Sequence, residues 1–428
     1  MKPSRRLSFF VIALVFSLGL VAVGAGAKDK QVEQEDPQKY GIGKVVAERL
    51  LEAYALLEAE RYDEAMGIVD ALAKRRKLAD PEIAQIHRFR GYIFVSQDQG
   101  EKAVAEFEKS LAMNAMDPAA EQVMIYSLAQ LYTGQGKFDK ALALIDRWFE
   151  VEENPKADAW FLKAMIHVQQ EDFAGAAEPA SNAIALSTKP KESWLTLYGV
   201  VFSQLKDYPK VETALQQLVE LAPSKSQYWV QLAAVQHHLG QDEKALATME
   251  LAHRAGLLKT NKEVRQLASL LFLRQQPFEC AKVMEEAMTA GTVPADAEAY
   301  RLMANCLIAA REGEKALEPL AKGGELAPDG DMYLLLGQMY LQRDEHDKAI
   351  GAFEKALQKA KPEQRGSIHL MLGIAQLGVD HFAEAERFFH LAVDDSKVNR
   401  AAESYLKFLE SKRAAQVQSR LAGAATGG

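Results

Sequence analysis

The sequence predicts an all-α protein: a solenoid of about ten helix–turn–helix repeats closed by a C-terminal capping helix. Three observations carry that expectation. A small residue returns at intervals of 33 to 38 residues along most of the chain, and self-similarity at such a period is the mark of stacked repeats. Alternating apolar and polar runs, which would announce strands, are scarce. The 428 residues also exceed what one ordinary globular core supports, and an elongated array escapes that limit.

The first element is a leader over residues 1–27. Lys2, Arg5 and Arg6 precede an apolar run from Leu7 to Val23 that ends in Ala25, Gly26 and Ala27, the layout of a secretory signal peptide with a small-residue cleavage site. The length of the run leaves an uncleaved membrane anchor as the alternative. Lipid anchoring would need a cysteine just after the run, and the two cysteines are Cys280 and Cys306. The basic start and the Ala-x-Ala end look bacterial, and in a Gram-negative cell they would deliver the chain to the periplasm. Loss of the leader removes three basic residues and no acidic ones, leaving 48 against 59, a net charge of −11. That balance argues against nucleic acid or anionic lipid as the main partner. Residues 28–44 are polar, contain Pro37, Gly41 and Gly43, and read as a flexible lead-in.

Residues 45–399 carry the repeats. The clearest copy places Tyr333, then Leu336 and Gly337, then Tyr340, Ala349, Phe353 and Ala356, with Pro362 just beyond. Leu336, Gly337 and Tyr340 share one face of a first helix, and the bare Gly337 lets a second helix approach. On that second helix the small Ala349 and Ala356 meet the close approach and Phe353 fills the wedge. The small residue opening the second helix recurs as Ala65, Ala103, Ala141, Ala176, Val211, Ala245, Ala281, Ala316, Ala349 and Ala385. Gly91, Ala129, Ala164, Gly199, Ala233, Ala304 and Gly373 occupy the close-contact place on first helices, with Ser269 and Ala53 as departures from glycine's profile. An aromatic three residues before the small residue recurs as Tyr62, Phe138, Phe173, Tyr208, Phe278 and Phe382. Residues 400–413, with Tyr405, Phe408 and Leu409 on one side, form the helix that caps the last apolar face. Residues 414–428 read as a disordered tail.

These columns resemble the tetratricopeptide repeat superfamily, and the resemblance implies a right-handed solenoid whose first helices line a concave groove. A narrower resemblance rests on Ser127 to Tyr132, Arg147-Trp148, Tyr228 to Leu232, Lys282 to Ala287 and Arg400 to Glu403. These phrases are similar to periplasmic repeat proteins encoded beside TonB–ExbB–ExbD energy-coupling genes, which implies a setting in envelope transport. Applied to each repeat, the groove implies partner-contacting positions at Arg88, Tyr92, Tyr126, Gln130, Phe161, Met165, Arg301, Asn305 and Gln338. Aromatics in the first half and polar groups in the second suit an extended peptide or a partner helix; ordinary packing is the alternative for Phe161 and Met165. Arg301 and Asn305 partly resemble the carboxylate clamp of chaperone-binding repeats, but Leu335 stands where such clamps carry asparagine.

Catalytic patterns are missing. Gly41 to Lys44 lacks the spacing and the preceding strand of a phosphate loop. His237 and His238 point to different sides of a helix, and Asp329-Gly330-Asp331 lacks the other ligands of a calcium loop. No metal ligand set, cofactor or enzyme is expected. Cys280 and Cys306 fall on neighbouring antiparallel helices, where a bridge is geometrically open in an oxidising compartment; the usual behaviour of buried cysteine favours two apolar thiols instead. The expected function is an adaptor or scaffold that holds protein segments, with TonB, ExbB or ExbD components as partners. It meets the membrane only through them or through an uncleaved leader. The alternatives are a scaffold for export or assembly of polysaccharide or outer-membrane proteins, or a peptidoglycan- or carbohydrate-binding protein.

Overall fold

The computed structural model describes residues 40–425, with side-chain surroundings described as far as Arg413. The leader and nearly all of the lead-in fall outside the described residues. Among those described there are 21 α-helices and no strand. Helix α1 (Lys44–Glu58) pairs with α2 (Tyr62–Ala73), α3 (Asp80–Ser96) with α4 (Gly100–Ala112), and α5 (Pro118–Gly134) with α6 (Phe138–Val151). There follow α7 (Ala157–Gln169) with α8 (Phe173–Ala185), α9 (Glu192–Gln204) with α10 (Tyr208–Leu221), and α11 (Ser226–His238) with α12 (Asp242–Arg254). The rest are α13 (Asn261–Leu273) with α14 (Pro277–Thr289), α15 (Ala297–Ala309) with α16 (Gly313–Leu326), α17 (Asp331–Leu341) with α18 (His346–Lys359), and α19 (Pro362–Gly378) with α20 (Phe382–Val393), before α21 (Asn399–Ala425). The ten pairs and the closing helix are those the periodicity predicts. They group into two compact units divided within α6, one up to Trp148 and one from Phe149.

Every pair turns the same way. Gly136 and Gly240 occupy the left-handed region in two turns, and Glu60, Asp98, Glu171, Lys206, Gln275, Arg311, Asp344 and Asp380 do so in the other eight. The amide after each such residue closes back on the last turn of the first helix, as from Asp207 to the Phe202 carbonyl at 2.9 Å and from Glu312 to the Leu307 carbonyl at 2.8 Å. This satisfies carbonyls that would otherwise be orphaned. A side chain in that conformation costs about 1 kcal/mol relative to glycine. Lys206→Gly and Arg311→Gly should therefore each raise stability by up to about 1 kcal/mol, read as an increase in urea midpoint.

The second helices start three residues before their small residue in all ten pairs, and the close-contact residue stands twelve before it. This corrects the seventh repeat. Cys280 and Ala268 hold the two columns there, not Ala281 and Ser269; both are fully buried, whereas Ser269 is exposed. The column asks for small size, which cysteine meets, and Pro277 takes the place of the aromatic. Phe278, one place too late, is 58 % exposed. Glycine and phenylalanine are matched across the helix pair: a Cβ on Gly91, Gly337 or Gly373 would fall 2.3, 2.4 or 2.5 Å from Phe107, Phe353 or Phe389 respectively. Where alanine stands in the first helix, the facing residue is smaller or more pliable, as with Ala129 and Ile145 or Ala233 and Met249.

Two boundaries differ from the sequence reading. Helix α1 begins at Lys44, inside the expected lead-in, because Val46 and Leu50 already bury an apolar stripe. The closing helix runs to Ala425, past the expected end at Arg413, through an alanine-containing stretch without proline. Ala402 and Leu409 are buried and Tyr405 stacks on Phe389 at 5.0 Å, while Phe408 lies off this stripe and is 50 % exposed.

Candidate partner-binding face

The residue just after the close-contact position on each first helix marks the face turned away from the second helix. In four successive repeats of the C-terminal unit it is exposed: Val200, Ala234, Ser269 and Asn305. Met165 and Gln338 continue the column at partial exposure. These side chains are short or polar. Of the positions taken from the sequence, Tyr92, Gln130, Met165, Asn305 and Gln338 belong to this column, and Val200, Ala234 and Ser269 were missed. Their signal was the constant offset from the close-contact residue, obscured in the seventh repeat by the one-residue slip.

The aromatic positions behave differently. Tyr92, expected to face a partner, is only 4 % exposed and meets Phe107 edge-on at 5.1 Å. The room left by Gly91 draws Phe107 inward, and Tyr92 closes over it. Phe161 is half-buried and stacks on Trp194 at 5.5 Å, so it packs neighbouring first helices together. Tyr126 is half-buried against Trp148 at 5.2 Å, and Gln130 beside it is partly exposed. The aromatic lining expected for the early repeats is thus largely spent on internal packing.

Charges near the starts of first helices link successive repeats in the C-terminal unit. Lys191 reaches Asp158 at 2.7 Å, Lys225 pairs with Glu192, and Ser226 donates to Glu263 at 2.9 Å. Arg265 then forks onto Asp296 at 2.7 Å, and Arg301 onto Asp329 at 3.1 and 3.2 Å. Arg301, a position the sequence reading offers to a partner, is thus engaged by an acid of its own chain. Asp329 also accepts from the Asp331 amide at 3.2 Å, the turn that opens α17.

Several of these carboxyls sit below the usual carboxylate range, Asp296 through its bonds from Arg265 and Glu192 through those from Lys225 and Tyr228. In the N-terminal unit burial pushes Glu106 up, but bonds from His87 at 2.7 Å and Lys109 at 2.6 Å outweigh it and hold its carboxyl down. A depressed carboxylate contributes stability that is present above its unfolded value and lost as pH falls through the folded one. The urea midpoint should therefore hold between pH 7 and 5 and fall below about pH 4.

Half-buried Arg88 has no such ion pair among the described residues. Its guanidinium lies 5.6 Å from the Phe89 ring and 5.9 Å from that of Tyr92. Burial pushes its pKa down, with Tyr92 and Asp117 acting against the shift. Its Nε is buried without a hydrogen-bond partner, as is Oε1 of Gln85 one turn earlier.

Cys280 and Cys306 are joined in a disulfide with Cα atoms 5.8 Å apart, both fully buried. Of the two readings of the sequence, the structure draws the bridge, which joins α14 to α15. His237 pairs with Asp242 at 2.6 Å and His238 packs on Tyr208 at 4.1 Å. Among the described residues no group of three or more His, Cys, Asp or Glu is placed to hold a metal. No described helix is long and apolar enough to cross a membrane.

The tetratricopeptide repeat family model matches residues 50–121, 126–189 and 310–364. Over these stretches the chain is similar to that family, and the remaining helix pairs keep the same register. Mouse tetratricopeptide repeat protein 34 is 23 % identical over 337 residues, 69 % of this chain and 57 % of the relative. The Aspergillus fumigatus pre-mRNA-splicing factor clf1 is 30 % identical over 95 residues, 22 % of this chain and 14 % of the relative. The chain thus spans less than two thirds of the length of these curated relatives. Among solved structures, a tetratricopeptide repeat protein from Parabacteroides merdae is 14 % identical with a TM-score of 0.35, covering 69 % of this chain and 99 % of that one. MamA is 21 % identical with a TM-score of 0.34, covering 40 % and 97 %.

Proposed function

We propose that this protein is a non-enzymatic periplasmic adaptor that holds extended segments or helices of partner proteins against the outward column of its first helices. The observation that carries the reading is the run Val200, Ala234, Ser269 and Asn305, exposed in four successive repeats. Repeated exposed positions on successive first helices suit a polypeptide laid across them. The leader-like start and the buried disulfide both fit an oxidising compartment. The resemblance to repeat proteins encoded beside TonB, ExbB and ExbD supplies the setting, an envelope energy-coupling system. A carbohydrate-binding role loses support, because Tyr92, Tyr126 and Phe161 spend their rings on protein contacts.

Fractionation of a Gram-negative cell expressing the chain should place it in the periplasm with an N-terminus at Lys28. Affinity capture from the envelope fraction should recover TonB, ExbB or ExbD, and Val200→Glu with Asn305→Lys should abolish that recovery. Recovery of export machinery instead would favour the assembly scaffold. A cytosolic full-length chain would remove the periplasmic reading.

A further inference from the structure

We infer that Arg88 anchors a binding site for an acidic segment of a partner protein on the first helices of the N-terminal unit. The inference rests on the adaptor reading above and names the ligand chemistry for that unit. Arg88 and Gln85 lie one turn apart on α3, about 4.5 Å along its axis. Arg88 is half-buried beside Phe89 and Tyr92, its Nε is buried without a partner, and no carboxylate pairs with it among the described residues. Its chain neighbour Arg90 is paired with Asp70 at 2.6 Å, as Arg265 and Arg301 are with their acids. The acid that acts on Arg88 from a distance, Asp117, spends its Oδ1 on the Ala119 and Ala120 amides at the start of α5.

A desolvated cation without a counter-charge is costly, and an unpaired buried acceptor beside it adds to the cost. A carboxylate meeting the accessible edge of the planar guanidinium supplies the missing counter-charge. An internal acidic side chain fits better than a chain end. Arg88 belongs to the middle of the three repeats that begin in this unit, with Tyr54 and Gln130 partly exposed at equivalent places before and after Tyr92. A segment would therefore run past the site in both directions.

The test uses the purified full chain and fluorescein-labelled peptides in an anisotropy titration. Three twelve-residue probes are compared: a capped Glu-Ser-Ala repeat, its capped Gln-Ser-Ala counterpart, and the latter with a free C-terminal carboxylate. The glutamate probe should bind about tenfold more tightly than the capped glutamine one. Arg88→Gln should erase that difference, Arg88→Lys should keep part of it, and circular dichroism should stay unchanged in both. Equal discrimination by Arg88→Gln, or no discrimination by the unaltered chain, would overturn the site. Binding of the free-carboxylate probe as tight as that of the glutamate probe would also overturn it, in favour of chain-end capture. A photo-crosslinker at Asn305, in the other unit, reports on the adaptor reading separately: continued trapping of a partner there means that only the assignment of Arg88 has failed.

Discussion

Cys306→Ala is expected to cost the C-terminal unit about 3 kcal/mol. The bridge to Cys280 closes a loop with a sequence separation of 26, and releasing a loop of that size returns about this much conformational freedom to the unfolded chain. Both cysteines are fully buried at the contact between the seventh and eighth repeats, so the loss falls where those repeats share their apolar core with Leu271, Met284 and Leu307. Because each repeat leans only on its neighbours, the urea transition should broaden, with the segment around α14 and α15 opening first. Hydrogen exchange should show lost protection there and little change around Phe389. A thiol titration of the denatured, unreduced protein should find no free thiol; two would mean that the bridge does not form.

Gly337→Ala should destabilise the C-terminal unit by about 2 kcal/mol, although alanine is the better helix former by about 1 kcal/mol. The new Cβ would lie 2.4 Å from the Phe353 ring, which is fully buried and has no free volume to retreat into. Gly91→Ala should act likewise on the N-terminal unit through Phe107. Gly199→Ala is the control: the nearest atom is Ala214 Cβ at 3.9 Å, so the helix-propensity gain should appear uncancelled. Urea unfolding of the three variants separates a packing effect, which has opposite signs at Gly337 and Gly199, from a general dislike of alanine, which would lower both.

Helix pairing was legible because its signals are short-ranged. The small column, the close-contact column and the wedge residue recur at fixed offsets within one pair, and Gly337 with Phe353 announces its partner from the sequence itself. The seventh repeat misled because matching by letter preferred Ala281 and Phe278, whereas packing selects by volume and Cys280 qualifies. The binding face was less legible. Helical periodicity says which side of a first helix looks away from its second helix, but neighbouring repeats decide what remains exposed there. Phe161 finds Trp194 in the next repeat and Arg301 finds Asp329 beyond the intervening helix, contacts spaced about one repeat apart that no local pattern reveals. Periodicity singles out Arg88 on its helix, but its lack of a counter-charge emerges only when every acid around it has been located.

Capture of partners on the outward column of the first helices is the proposed activity. Its most direct test is photo-crosslinking in living cells, with a benzophenone side chain placed singly at Gln130, Ser269 or Asn305 and, as controls on second helices, at exposed Lys102 or Glu318. The expected result is a trapped protein, identified by mass spectrometry, from first-helix positions and none from the controls. Trapping from Lys102 or Glu318 alone would contradict the claim and move the binding surface to the second helices.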